Sequence, residues 1–176
     1  RVADFQKLED ELHQAGVGVI LAWTPAQFPR YATGLERFDG TPLYEKQNPA
    51  EAIHPFWGTL LYNYGSPMVK DFLISNACFW AEVYHADGLR MDDVDAMLYL
   101  DYGRNLGEWT PNIYGTNENL DALEFLKHLN SVIKERNPGL LLVAQENGLW
   151  PELTDSVGND HLGFDYKWSG GWTKDL

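Results

Sequence analysis

HADGLRMDDVDAM, residues 85–97, sets an apolar strand pattern against a heavy load of charge. Leu89, Met91 and Val94 ask for a core. Asp87, Arg90, Asp92, Asp93 and Asp95 ask for water or for chemistry. Successive side chains of an extended strand point to opposite faces. Leu89 and Met91 therefore share one face, and Arg90 and Asp92 share the other. The polar pair projects together at the C-terminal end of the strand. An arginine beside an aspartate favours the ionised carboxylate, which suits a nucleophile or an electrostatic stabiliser. A structural ion pair and a metal cluster are the competing readings. Calcium-loop spacing is not met, because the required glycine and downstream glutamate are missing.

The segments around this stretch repeat one order. DFQKLEDELHQAG, from Asp4, places Phe5, Leu8, Leu12 and Ala15 on one helical face, with Gly16 as a stop. Val17 to Trp23, VGVILAW, is a β-branched run that predicts a buried strand. Residues 24–67 are rich in Pro, Gly and aromatics and show no sustained period; a connection that long is uncommon unless it is functional. A helix follows Ser66 and Pro67, with Val69, Phe72, Leu73, Ala77, Trp80 and Val83 on one side. After the opening strand comes a second irregular stretch, 98–118. A helix with Leu120, Leu123, Leu126, Leu129 and Ile133 inward runs to the Pro138-Gly139 stop. LLLVAQE, Leu140 to Glu146, predicts another buried strand, and GFDYKW one more. Apolar strands alternating with helices predict an α/β fold with a parallel sheet. The long loops follow strands, which is where (β/α) barrels build their sites. Periodicity alone leaves barrel and open sheet as alternatives.

Composition narrows the function classes. The chain has 176 residues, enough for one domain with a core. Its net charge of −13 argues against nucleic acid and against anionic membranes. Aromatics reach 14%, which suits a cleft that stacks flat ligands such as sugars. Trp23, Phe28, Trp109, Tyr114 and Trp150 are candidates for such a cleft, and each is equally a candidate for the core. One cysteine, Cys78, excludes an internal disulfide, and its apolar surroundings predict a core position. No signal-peptide pattern and no spanning apolar segment are visible, so the expected setting is reduced and cytoplasmic. The five histidines show no metal-type pairing, and no phosphate-binding or nucleophile-elbow motif appears; no cofactor and no metal are expected.

The strand ending VAQEN offers a second group. Gln145 and Glu146 face opposite ways. A carboxylic acid here, across from Asp92, would complete the acid and nucleophile of a retaining sugar-transfer enzyme, with carboxyl groups roughly 5 Å apart. Glu146 is the carboxylate available on this strand. A solvated or salt-bridged glutamate is the plainer reading of it.

With these residues in view, nearly the whole chain resembles the middle of the glycogen branching enzymes (1,4-α-glucan branching enzymes). These are transferases within the α-amylase-type glycoside hydrolase superfamily. ELHQAGVGVILAWTPAQFPR resembles their first block, which reads Asp-Trp-Val-Pro-Ala-His-Phe. GLERFDGTPLYE, HPFWGTLLYNYG and the run to MLYLDYGR follow motif for motif, as do GEWTPNIYGTNEN, LLLVAQENGLWPELT and LGFDYKWSGGWTKDL. The resemblance implies a partial (β/α)8 TIM barrel of about four parallel βα units, family strands 3 to 6. Residues 1–176 would be the central segment of the catalytic domain.

The implied chemistry is retaining transglycosylation, cleaving α-1,4 and forming α-1,6 glucosidic linkages in glycogen biosynthesis. The implied partner is an α-1,4-glucan such as glycogen or amylose, together with the rest of the barrel. By position Asp92 matches the nucleophile and Arg90 the arginine that keeps it ionised. Asp87 and Gly88 match a structural pair. Trp23, Gln27, Trp109, Tyr114 and Trp150 are the expected substrate-binding positions.

The departures fall on site positions. The family acid/base position is Gln145 here, and an amide cannot protonate a leaving oxygen. Losing general acid catalysis costs on the order of 10² to 10⁴-fold in rate. Glu146 substitutes only if the strand shifts by one residue. Ala22 replaces an aspartate, Gln27 a histidine and Asn117 an arginine. The family's later His-Asp motif is not matched; Asp160-His161 is reversed and too early. A complete barrel needs eight strands and about 250 residues. The expected function is therefore branching, impaired in this chain. The alternatives are a non-catalytic α-glucan-binding pseudoenzyme module and a redesigned scaffold.

Overall fold

The computed structural model describes residues 1–148, 150–151, 153–154, 157 and 161–170. Their elements run α1 (Val2–Gln14), β1 (Ile20–Trp23), β2 (Gln27–Phe28), α2 (Pro49–Ala52), β3 (Leu60–Leu61), α3 (Pro67–Glu82) and β4 (Gly88–Met91). They continue with α4 (Val94–Leu98), α5 (Leu120–Arg136), β5 (Leu141–Gln145) and β6 (Tyr166–Trp168). The main sheet has the order β1-β4-β5-β6, and its pairings are all parallel. This is the expected α/β arrangement. Parallel neighbours need a crossover between them, and the helices supply it.

Register fixes the two faces. Ala22, Arg90 and Val143 lie side by side across β1, β4 and β5. Gln145 pairs with Trp168 one step along. The other face carries Leu89, Met91, Leu142 and Ala144, all fully buried. Beneath it α3 and α5 pack together. Val69, Leu73, Ala77 and Cys78 of α3 meet Ala122, Phe125, Leu126, Leu129 and Ile133 of α5 in one core. Burying each large apolar side chain contributes about 1.5–3 kcal/mol. Gly88 is required where β4 starts: a Cβ there would sit 2.9 Å from the Leu141 carbonyl oxygen.

Two aspartates tie the strand starts. Asp87 Oδ2 accepts from the Val19 N–H at 2.6 Å and bonds His13 Nε2 at 2.9 Å. Asp165 Oδ2 accepts from the Leu142 N–H at 2.8 Å while Oδ1 meets Lys134 Nζ at 2.7 Å. Each carboxylate therefore fastens its own strand to the neighbour that precedes it in the sheet.

The structure also departs from the expected pattern. α1 forms, but Val2 and Leu8 on it are exposed and Phe5 is only partly covered. An apolar stripe is buried only where a neighbour packs on it, and β1 is an edge of the described sheet. Val83 is likewise exposed, while Ile74 and Ala81 are buried instead. Ser66 occupies the cap position of α3 without a side-chain cap bond. Residues 24–67 are not featureless: β2 and β3 pair antiparallel, and α2 is capped by Asn48, whose side chain accepts from Ala50 N–H. α4 was not expected, because the strand stops at Met91 and the chain turns at once. Among the described residues no helix is long and apolar enough to cross a membrane.

Candidate active site

The site stands at the C-terminal ends of β1, β4 and β5. Alternation along β4 buries Leu89 and Met91 and turns Arg90 to the open face. There its guanidinium lies 5.4 Å over the Trp168 ring. Asp92 follows the last strand residue and is held by its backbone, whose N–H donates to the Trp23 carbonyl at 2.9 Å. Arg90 Nε donates to Asp92 Oδ1 at 2.9 Å, and its terminal nitrogen to Oδ2 at 3.4 Å. A planar fork meeting both carboxylate oxygens fixes orientation as well as charge.

The strand pattern ends at Asp93, whose φ of 60° and ψ of 37° are left-handed. Aspartate is among the few residues that visit this region readily. The turn starts α4 and points the Asp93 N–H at Gln145 Oε1, 2.8 Å away. Asp93 Oδ2 accepts from Gln27 Nε2 at 3.0 Å, and Gln27 Oε1 accepts from the Thr59 hydroxyl. A polar chain thus runs Thr59, Gln27, Asp93, Gln145 beside Asp92. Burial raises the Asp93 carboxyl above its ordinary range; the Gln27 bond opposes this, and the Asp92 charge adds to it.

Two further carboxylates sit deeper. Asp95 is buried and its Oδ1 accepts from the Ala96 N–H at 3.0 Å, and burial raises its carboxyl too. Glu146 is fully buried on the helix side of the sheet, where it forms an ion pair with Lys167. Lys167 Nζ also donates to the Gly148 carbonyl at 2.8 Å. Gln145 and Glu146 therefore take opposite sides of the sheet, as their adjacency requires.

The expected sugar-contacting aromatics do not gather at this site. Trp23 is 8% exposed and its indole N–H donates to Asn76 Oδ1 of α3 at 2.8 Å. It takes the helix face because its register partner is Met91, not Arg90. Phe28 is buried against Tyr62, with ring centroids 4.6 Å apart. Trp150 packs edge-on to Tyr99 at 5.7 Å. Tyr114 is exposed on the loop before α5. Trp109 lines a cavity of about 320 Å³ together with His54, Tyr102 and Arg104. Asn117 donates to Asp101 at 2.9 Å. Asp160 lies outside the described residues; His161 bonds the Thr154 carbonyl at 3.1 Å.

Among the described residues no group of three or more His, Cys, Asp or Glu is placed to hold a metal. Sequence reasoning missed the role of Asp93. The signal was present: polar Gln27, Asp93 and Gln145 stand together where the resembled family has other residues, and their contacts link all three.

No family model matches the chain. Relatives do. The chain is 53% identical over 172 residues to the 1,4-α-glucan branching enzyme of Thermobifida fusca, covering 98% of this chain and 23% of that protein. It is 54% identical over 172 residues to the branching enzyme of Rubrobacter xylanophilus, covering 98% of this chain and 24% of that one. The chain thus spans about a quarter of the length of these relatives. The α-amylase of Lactobacillus plantarum superposes with a TM-score of 0.63 at 18% identity, over 99% of this chain and 37% of that one. An Anoxybacillus α-amylase gives 0.65 at 15% identity, over 98% and 34%. The fold is therefore that of a portion of the α-amylase barrel, and the sequence is similar to branching enzymes along almost all of its length.

Proposed function

Proceeding from that likeness, we propose that residues 1–176 form the central segment of a (β/α)8 catalytic domain that branches α-glucans. The observation that carries this reading is the Arg90–Asp92 fork at the C-terminal end of β4, where barrel enzymes place their chemistry. Asp92 attacks C1 of an α-1,4-linked glucan and forms a covalent glycosyl-enzyme. A 6-hydroxyl of a glucan then takes the chain and gives an α-1,6 linkage, with retention through two displacements. Glycogen or amylose is the substrate class, the rest of the barrel closes the sheet edges, and the setting is cytoplasmic. Gln27 lines the same rim as Asp92 through its bond to Asp93.

Gln145 holds the acid/base position but spends its carbonyl on the Asp93 N–H and has no proton to give. Position 145 therefore supplies no proton to the leaving oxygen in this chain. Glu146 acts as counter-ion to Lys167 rather than as the acid, being buried on the opposite face. A second reading, a glucan-binding module without turnover, is favoured by one observation: Gln27 and Gln145 are both hydrogen-bonded to Asp93.

An iodine-stain and linkage assay on amylose separates the two. New α-1,6 linkages from the full-length protein, abolished by Asp92→Asn, support branching. Glucan binding with no turnover supports the module. Neither binding nor turnover sinks both.

A further inference from the structure

We propose that the carboxyl group of Asp93 acts as the general acid/base of this site, in place of a carboxylate at position 145. The proposal rests on the branching reading above and identifies the group that moves the proton.

Four observations argue for it. Asp93 follows Asp92 directly, and the Asp92 charge acts on the Asp93 carboxyl. Its left-handed backbone breaks the strand alternation that would otherwise send the two side chains to opposite faces. Its N–H lies 2.8 Å from Gln145 Oε1, which sets the residue against the side chain that fills the acid/base position. Finally, Gln27 Nε2 orients Oδ2 at 3.0 Å, and Thr59 in turn fixes Gln27. Among the described residues no protein hydrogen bond is made to the other oxygen, Oδ1. The neighbouring carboxylates are occupied elsewhere: Asp95 accepts from the Ala96 N–H within α4 and Glu146 pairs with Lys167 beneath the sheet.

Half-burial and the adjacent Asp92 charge both favour the protonated form of Asp93. The two aspartates thus take different states from different surroundings. Arg90 meets both oxygens of Asp92. Among the described residues the Asp93 carboxyl has only a neutral amide partner.

The steps balance as follows. An Asp92 oxygen bonds to C1 while the C1–O4 bond to the leaving chain breaks. The Asp93 carboxyl proton passes to that O4, leaving a free 4-hydroxyl and an Asp93 carboxylate. In the second displacement Asp93 takes the proton of an incoming 6-hydroxyl as its oxygen bonds to C1. The C1–Asp92 ester bond breaks, Asp92 leaves as a carboxylate, and Asp93 is protonated again.

The test uses leaving groups of different need. α-Maltosyl fluoride loses fluoride without an acid, whereas an α-1,4-glucan needs one. Asp93→Asn keeps a residue that tolerates the left-handed backbone. In the full-length protein it is expected to lower glucan cleavage by about 10²-fold or more. The burst of fluoride release should stay within about tenfold of wild type, because general acid catalysis of about 10²–10⁴-fold is not needed there. Asp93→Gly also accepts the backbone, and added azide, attacking the glycosyl-enzyme in the vacated space, should restore its turnover as a glycosyl azide. Equal losses on both substrates, or losses on neither, would overturn the assignment while leaving branching intact. If the wild-type protein releases no fluoride in an Asp92-dependent manner, the branching reading fails and this one falls with it.

Discussion

The backbone N–H of Asp93 donates to the side-chain carbonyl of Gln145 across 2.8 Å, joining residues 52 positions apart in the chain. The bond closes the gap between the ends of β4 and β5. It also explains how a glutamine is accommodated in that place. The amide offers an acceptor to an N–H that the left-handed turn would otherwise leave facing the cleft.

Gln145→Glu should be tolerated, because a carboxylate accepts the same N–H and does so more strongly. Placed in the Asp93→Asn background, it is expected to raise glucan cleavage by the full-length protein about 10²-fold, the lower end of what a positioned acid contributes. Reducing-end release from amylose measures it. No rise would mean that position 145 does not face the scissile oxygen.

Arg90→Lys replaces a fork with a point charge. Asp92 then keeps a cation but loses the second of its two fixed contacts. A hydrogen bond to a charged group is worth about 1.5–3 kcal/mol, so turnover should fall roughly 10- to 100-fold. Both side chains are partly solvated, at 34% and 25% exposure, so stability should change by less than about 1 kcal/mol. Kinetics on amylose beside urea unfolding curves would show whether the two effects separate in this way.

His54 should make stability depend on acid. It is 1% exposed, and its Nδ1 accepts from the Phe56 and Trp57 N–H groups at 3.2 and 3.4 Å. Burial, with a smaller contribution from Arg104, lowers its pKa from 6.5 to about 4. Above 6.5 both folded and unfolded chains hold it neutral, and its contribution is fully present. As pH falls from 6.5 towards 4, the unfolded chain binds a proton that the folded chain refuses. About 3 kcal/mol is lost across that window. His54→Asn keeps an acceptor for the turn without titrating, so the slope should flatten. Urea midpoints at pH 7, 5.5 and 4.5 provide the check; parallel wild-type and variant curves would refute it.

Phe125 is fully buried and stacks on Tyr64, with ring centroids 5.2 Å apart. Phe125→Ala should cost about 3–5 kcal/mol through lost transfer energy and a cavity. Tyr114→Ala on its exposed loop should stay within about 0.5 kcal/mol of wild type. Chemical denaturation of the pair distinguishes core from surface. A similar loss for both would contradict the packing described.

Much of this was legible in short windows of sequence. The helix after Pro67 and the strands GLRM and LLVAQ lie where apolar period and stop signals put them. Arg90 and Asp92 follow from alternation and meet as expected. Trp23 did not follow, since a large aromatic at a strand end serves a cleft or a core equally well until its register partner is known. The exposed apolar residues of α1 also escaped, because periodicity says which face is apolar but not whether anything covers it.

The sequence by itself determined the alternation of helix and strand, the paired projection of Arg90 and Asp92, and the opposition of Gln145 and Glu146. These depend on backbone geometry over a few residues. Only the tertiary structure decided that the chain turns left-handed at Asp93, that Gln27 and Gln145 converge on it, and that Glu146 meets Lys167 beneath the sheet. Those contacts join four separate segments, and local propensity carries no information about which side chains a parallel sheet brings to one end.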